Sequence, residues 1–123
     1  MVAGQQPEAS LKHVDVEGAL ARVRGNKQLY RKMLGMFLDS EEVTALEHYL
    51  AAADYSRAAI AAHGIKGVAG NLSMLSLFEK ITELMLQLQQ EAPDPKTVKE
   101  YHEILNATRA SVVDVIKVLD VEI

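Results

Sequence analysis

Residues 55–72 read YSRAAIAAHGIKGVAGNL, and their apolar side chains recur at the three- and four-residue spacing of an α-helix. On a helical wheel at about 100° per residue, small and apolar residues collect on the side opposite His63. This pattern predicts a helix that buries one face in a protein core and turns His63 outward. The predicted buried stripe consists of Ala58, Ala61, Ile65, Ala69 and Leu72.

Helical spacing continues through the rest of the chain, and the alternation of apolar and polar residues that is typical of strands is missing. We therefore predict an all-α protein, an antiparallel up-down four-helix bundle with a short extra N-terminal helix. A break of the second helix near Asp39 and Ser40 is an alternative, because Ser40 followed by two glutamates can begin a helix. The predicted helices cover about 14–23, 27–53, 55–72, 75–91 and 95–121.

Capping residues support these boundaries. Gly25 is suited to end the first helix, and Asn26 and Asp54 are suited to begin the second and third. Asp94 followed by Pro95 is the clearest start signal in the chain, since proline is favoured in the first turn of a helix.

Length and composition limit the classes of protein that the chain can represent. A chain of 123 residues fits one domain, and we expect a flexible tail or linker at 1–12 and the folded domain at 13–123. The chain has no cysteine, which excludes thiol catalysis and cysteine-based zinc sites and suits a reducing cytoplasm. The net charge is -4, and the basic residues are spread along the chain without forming a stripe, so no nucleic-acid partner is predicted.

Two further classes are not supported by the sequence. No apolar run reaches the roughly 20 residues that span a bilayer, so we expect no membrane contact and a cytoplasmic location. The histidines other than His63 are scattered over the chain, which predicts no metal site. These residues are His13, His48 and His102.

Three glycines, Gly64, Gly67 and Gly70, share the outward face with His63. Together they lower the stability of a helix by about 3 kcal/mol relative to alanine, so their presence requires a reason. One reason is access of a partner protein to His63, with Ile60 as an apolar contact, joined by Met74 if the helix continues. Close helix crossing is an alternative. A phosphate-binding loop is a poorer one, because no strand precedes the stretch.

The outward face suggests a nucleophile. A neutral imidazole has a free ring nitrogen that can attack phosphorus, and the product gains about 1.5 to 2 negative charges by analogy with other phosphorylated side chains. Lys66 follows His63 by three residues and can pair with that charge. Residues 62–70 contain no Ser or Asp that could orient a base, so a hydrolase-type triad is not supported.

The run Ala62-His63-Gly64-Ile65-Lys66-Gly67-Val68-Ala69 resembles the A-H-x-[LI]-K-G-x-A motif of histidine-containing phosphotransfer (HPt) domains of two-component phosphorelays. The run 14–23, the run 25–30, Phe37 with Leu38, and Asp54 with Tyr55 are similar to other parts of the family pattern. The similarity extends from about residue 13 to the C-terminus.

The resemblance implies a phosphocarrier without autonomous kinase activity. His63 would accept a phosphoryl group from a receiver-domain aspartate and pass it to another, Lys66 would be the neighbouring positive charge, and Gly67 would give access. The expected partners are response-regulator receiver domains and a hybrid sensor histidine kinase. The chain would need no cofactor, since Mg²⁺ belongs to the receiver, and we expect a monomer.

Two alternatives remain open. One is a helical module that docks receivers without carrying phosphate, and the other is the phosphoacceptor domain of a chemotaxis-type kinase. The chain also departs from the family at Ser73, where glycine is common, and the helix can then continue past residue 72.

Overall fold

A computed structural model describes residue 6 and residues 8–123, all of whose regular structure is α-helical. None of its helices combines the length and the apolar character needed to cross a membrane in this part of the chain. The described residues form the helices α1 (Glu8–Leu11), α2 (Val16–Arg22), α3 (Lys27–Leu38), α4 (Glu41–Ala51), α5 (Tyr55–Asn71), α6 (Leu75–Gln90) and α7 (Pro95–Glu122).

The region predicted as one helix over 27–53 is two helices, so the alternative with a break is the correct one. α3 ends with Asp39 as its C-cap, and Ser40 begins α4 by accepting a hydrogen bond on Oγ from the Val43 N–H at 3.3 Å. Glu41 and Glu42 occupy the first turn of α4, where negative charge is favourable. Apolar spacing continues across the break, which is why the periodicity alone did not reveal it.

The other predicted helices are present with small shifts at their ends. The first begins at Val16 rather than at residue 14, because Asp15 caps it through a bond from the Gly18 N–H at 3.2 Å. Gly25 has a φ of 75°, the left-handed conformation expected of a residue just after a helix. Side chains of Asn26, Asp54 and Asp94 cap α3, α5 and α7 as predicted.

The histidine-bearing helix α5 lies between two neighbours. It packs against α4 on one side and α6 on the other, while α6 packs against α7 and α7 against α3. The predicted buried stripe of α5 is confirmed, since none of its five residues is more than 8% exposed. Each helix from α2 to α7 contributes buried side chains to one hydrophobic core.

The end of α5 differs from the expectation raised by Ser73. The helix stops at Asn71, and Ser73 itself takes the left-handed conformation with a φ of 52°. The Met74 N–H then bonds to the Ala69 carbonyl at 2.8 Å, which closes the helix as a glycine-ended helix would be closed. Because the chain turns here, the helix does not continue, and Met74 is fully buried in the core instead of joining the outward face.

The N-terminal segment predicted as a tail over 1–12 is partly ordered. Residues 1–5 and 7 lie outside the described part of the chain, but α1 forms within the segment. The Gln6 side chain donates to the Val14 carbonyl at 2.7 Å and accepts from the Val16 N–H at 2.7 Å. His13 Nδ1 lies 2.9 Å from Ser76 Oγ, which ties this segment to the start of α6.

Candidate functional site

His63 lies in the middle of α5 with its side chain exposed. Across the described residues, its ring makes no hydrogen bond or ion pair. The ring stands on a ridge between two surface grooves, one of about 560 Å³ beside α4 and one of about 460 Å³ beside α6. Both ring nitrogens are therefore available to a partner molecule.

Ile60 lies one turn before His63 and lines both grooves. Its side chain is 73% exposed, which is unusual for isoleucine and leaves an apolar surface next to the imidazole. This position agrees with the outward face predicted from the helical wheel.

The three glycines on this face have different surroundings. At Gly67, a Cβ atom would meet nothing within 4 Å, so the position faces open space one turn after His63. Within the described part of the chain, no helix lies against Gly67, and close packing of those helices therefore does not explain this glycine. The open surface is consistent with a role in access.

Gly64 is covered by a side chain from another helix. A Cβ at this position would lie 1.9 Å from Oε2 of Glu42 and 2.6 Å from its carboxyl carbon. The absence of a side chain at Gly64 thus makes room for a carboxylate on the residue that follows His63. Glu42 comes from the first turn of α4, and together with His63 and Gly64 it lines the larger groove.

Gly70 is also covered. A Cβ there would lie 3.3 Å from Cε2 of Phe78, a residue of α6 that packs across α5 at this point. The same ring lies beneath Lys66, whose Nζ is 5.7 Å from the ring centroid, within the range of a cation–π contact. Phe78 therefore occupies the surface of Gly70 and holds the ammonium group of Lys66 near the histidine face.

Lys66 is the only predicted site residue that carries a formal positive charge. Its ammonium group makes no ion pair with any residue of the described chain, and an aromatic ring does not neutralise its charge. At three residues from His63 it lies on the neighbouring turn, as expected from the spacing. The charge remains available to an anion bound at His63.

The other histidines have partners or lie elsewhere. His13 contacts Ser76, and His102 Nε2 lies 2.8 Å from both carboxylate oxygens of Glu47. His48 stacks edge-on against Tyr49 with ring centroids 5.7 Å apart. Within residues 8–123, no group of three histidine or acidic side chains is arranged to hold a metal ion.

The helical wheel placed His63, Ile60, Lys66 and Gly67 as the structure does, but it missed two residues of the site. Glu42 and Phe78 belong to α4 and α6, and nothing in the pattern of α5 reveals which side chains lie on its glycines. The sequence held a weak signal for Glu42, because Ser40 as an N-cap places Glu42 in the first turn of a helix.

Comparisons of the chain with protein-family models, with curated proteins and with solved structures found no match. The function must therefore be argued from the site itself. The site consists of an exposed, unpartnered imidazole, an adjacent cation held by an aromatic ring, one open glycine, and a carboxylate that covers a second glycine.

Proposed function

We propose that the chain is a histidine phosphotransfer module of a multistep phosphorelay. His63 accepts a phosphoryl group from the aspartate of one receiver domain and passes it to the aspartate of another. The observation that carries this proposal is the exposed imidazole of His63, which has open space at Gly67 on one side and the cation of Lys66 on the other. The resemblance of residues 62–69 to the HPt motif adds to it.

The proposed fold is an antiparallel four-helix bundle with a short N-terminal helix. The contacts of α5 with α4 and α6, of α6 with α7 and of α7 with α3 support it, because they close a ring if α3 and α4 together form one side. The small helix α2 packs against α3 and would be the extra helix. In such a bundle, α5 presents His63 on the outer surface.

The transfer step follows from the chemistry of imidazole. A ring nitrogen of His63 attacks the phosphorus of the aspartyl phosphate, so that a nitrogen–phosphorus bond forms and the bond to the carboxylate oxygen breaks. The carboxylate leaves with the electron pair, and the ring releases its remaining N–H proton to solvent as required. Lys66 stabilises the negative charge on the phosphoryl oxygens.

The catalytic carboxylates and the Mg²⁺ ion belong to the receiver in this proposal, and the chain acts without a kinase activity of its own. Its partners are receiver domains in the cytoplasm, and the chain works as a monomer. The absence of cysteine is compatible with that reducing compartment.

The proposal is tested by incubating the chain with purified receiver domains that have been phosphorylated with labelled acetyl phosphate. We expect label on the chain that is stable in base and labile in acid, as phosphohistidine is. A His63→Gln variant that accepts as much label as the parent would refute the proposal. A chain that binds receivers but takes no label would instead be a docking module, and a chain labelled only by a kinase domain would be of the chemotaxis type.

The role of Lys66 is tested with Lys66→Ala, which should slow transfer while far-ultraviolet circular dichroism stays unchanged. Lys96→Ala is the matched control, because Lys96 is an exposed lysine in α7 that contacts neither groove beside His63. Equal rates for the parent and Lys66→Ala would remove the lysine from the mechanism.

A further inference from the structure

The carboxylate of Glu42 lies on Gly64, the residue that directly follows the proposed phosphoacceptor. It makes no hydrogen bond or ion pair with any other described residue, so its charge is not neutralised by a neighbour. Glu42 and His63 line the same groove beside α4. A phosphoryl group on His63 would therefore be added close to an existing negative charge.

We propose that Glu42 destabilises the phosphorylated form of His63 and so favours the onward transfer of the phosphoryl group. The inference rests on the proposed function, and it assigns to Glu42 a role that the motif around His63 does not contain. Glu42 acts through its charge and does not touch the reacting atoms. It sets how much of the phosphoryl group stays on the chain at equilibrium.

Gly64 is required for this position of the Glu42 carboxylate. Because a Cβ at residue 64 would lie 1.9 Å from Oε2 of Glu42, any other residue there would push the carboxylate away from this position. The glycine thus allows the charge to approach the histidine. Lys66 has the opposite effect on the phosphoryl group, so one cation and one anion flank the acceptor.

The expected size follows from Coulomb's law. For a phosphoryl group of about 1.5 to 2 charges and a separation on the order of 7 Å in water, the repulsion by a carboxylate corresponds to a change of about four- to sevenfold in the transfer equilibrium. Because both groups are exposed, added salt should screen the effect over a length of about 8 to 10 Å. A purely structural role of Glu42 would show no such dependence on salt.

The test compares Glu42→Gln with Glu41→Gln. Both variants lose one charge from the first turn of α4, but only Glu42 lies on Gly64. Each variant is equilibrated with a phosphorylated receiver domain at low salt and at about 0.5 M salt, roughly three times the physiological ionic strength. The share of label on the chain is then measured. We expect about four- to sevenfold more label on Glu42→Gln at low salt, a smaller gain at high salt, and little change for Glu41→Gln.

A small-molecule phosphoryl donor allows the same variants to be compared without a receiver domain. Phosphoramidate transfers its phosphoryl group to the His63 nitrogen as its own phosphorus–nitrogen bond breaks, and ammonia leaves and takes up the ring proton. Labelling of His63→Gln is subtracted, because other histidines can react. We expect Glu42→Gln to be labelled faster than Glu41→Gln, and Gly64→Ala to give a gain of the same sign that disappears in the Glu42→Gln background.

The outcomes separate this inference from the proposed function. If receivers label the parent on His63 but Glu42→Gln and Glu41→Gln behave alike, the role of Glu42 is refuted and the phosphotransfer function stands. A shift of label toward the receiver in Glu42→Gln would also refute it, since that result means the carboxylate stabilises phosphohistidine. If receivers do not label the parent at all, the proposed function itself fails.

Discussion

Replacing Gly67 by leucine tests whether this glycine serves access or folding. Gly67 lies inside the 17-residue helix α5, and a Cβ atom there would meet nothing within 4 Å. Leucine is more favourable than glycine in a helix by about 0.8 kcal/mol, and the Cβ of the new residue would face open space among the described residues. We therefore expect the free energy of unfolding to rise by about that amount.

The same substitution should impair phosphotransfer. A leucine side chain one turn from His63 would stand in the space through which the proposed receiver partner would approach, and a displacement of about 1 Å between reacting groups can reduce a rate by roughly 100-fold. We expect the transfer rate to fall between about 10-fold and 100-fold for Gly67→Leu, with a smaller loss for Gly67→Ala.

Urea unfolding and the rate of label transfer from a phosphorylated receiver are measured on the same samples. With a denaturant slope of about 2 kcal/mol per molar, the midpoint should rise by about 0.4 M. Gly35→Ala is the control, because it stabilises a helix outside the site, with only the flexible end of Arg31 near the added Cβ, at 3.1 Å. It should raise the midpoint without changing the transfer rate.

Two results would refute the reasoning. A clear loss of stability in Gly67→Leu would mean that this face packs against another part of the protein, as close helix crossing requires. Unchanged transfer by a stable Gly67→Leu would mean that the open space at this glycine is not used by a partner.

Three further predictions concern residues that support the site and the core. Phe78→Leu should slow phosphotransfer by loosening the Lys66 ammonium group, and it should have no further effect in a Lys66→Ala background; additive effects in this double-mutant cycle would separate the two residues. Ser73→Ala should lower the free energy of unfolding by about 1 kcal/mol, because Ser73 Oγ accepts a bond from the Arg22 guanidinium at 2.8 Å; Ser73→Gly should be about 1 kcal/mol more stable than Ser73→Ala, and equal stabilities in urea would mean that the left-handed backbone is not strained. Tyr101→Phe should raise the free energy of unfolding by about 1 kcal/mol, because the buried hydroxyl has no hydrogen-bond partner among the described residues. Burial, together with the charge of Glu47, raises the pKa of Tyr101 above its value of about 10 in the unfolded chain. The free energy of unfolding is therefore unaffected by this group below about pH 10 and falls as the pH rises further, because Tyr101 ionises more easily in the unfolded chain. Unfolding curves at pH 8 and pH 11 should show a smaller alkaline loss of stability for Tyr101→Phe than for the parent.

Local sequence signals predicted most helix ends because the responsible interactions are local. Asp54 and Asp94 cap the helices that follow them, within two or three residues of their own positions. The break at Ser40 depends on a similar short contact, with the Val43 N–H, but the sequence indicated it only as an alternative because apolar spacing continues on both sides. Periodicity reports which face is buried, and two successive helices can keep one face in register.

The end of α5 shows where a rule about residue type is too strict. Glycine is favoured after a helix because it adopts positive φ at no steric cost. Ser73 adopts the same conformation here, and its hydroxyl accepts from Arg22 while its carbonyl accepts from the Asp15 N–H at 2.9 Å. These contacts come from α2 and the residue that caps it, so a sequence pattern confined to α5 could not include them.

The outward face of the histidine helix could be predicted, but the side chains that other helices place on it could not. A helical wheel uses only positions within one helix, so it treated Gly64, Gly67 and Gly70 as one open surface. Tertiary packing gives each a different neighbour: a carboxylate on Gly64, open space at Gly67 and an aromatic ring on Gly70. Since the carboxylate and the ring come from α4 and α6, the electrostatics of the proposed acceptor depend on how three helices pack. The reactivity of His63 should therefore vary with changes at Glu42 and Phe78 even when the motif itself stays intact.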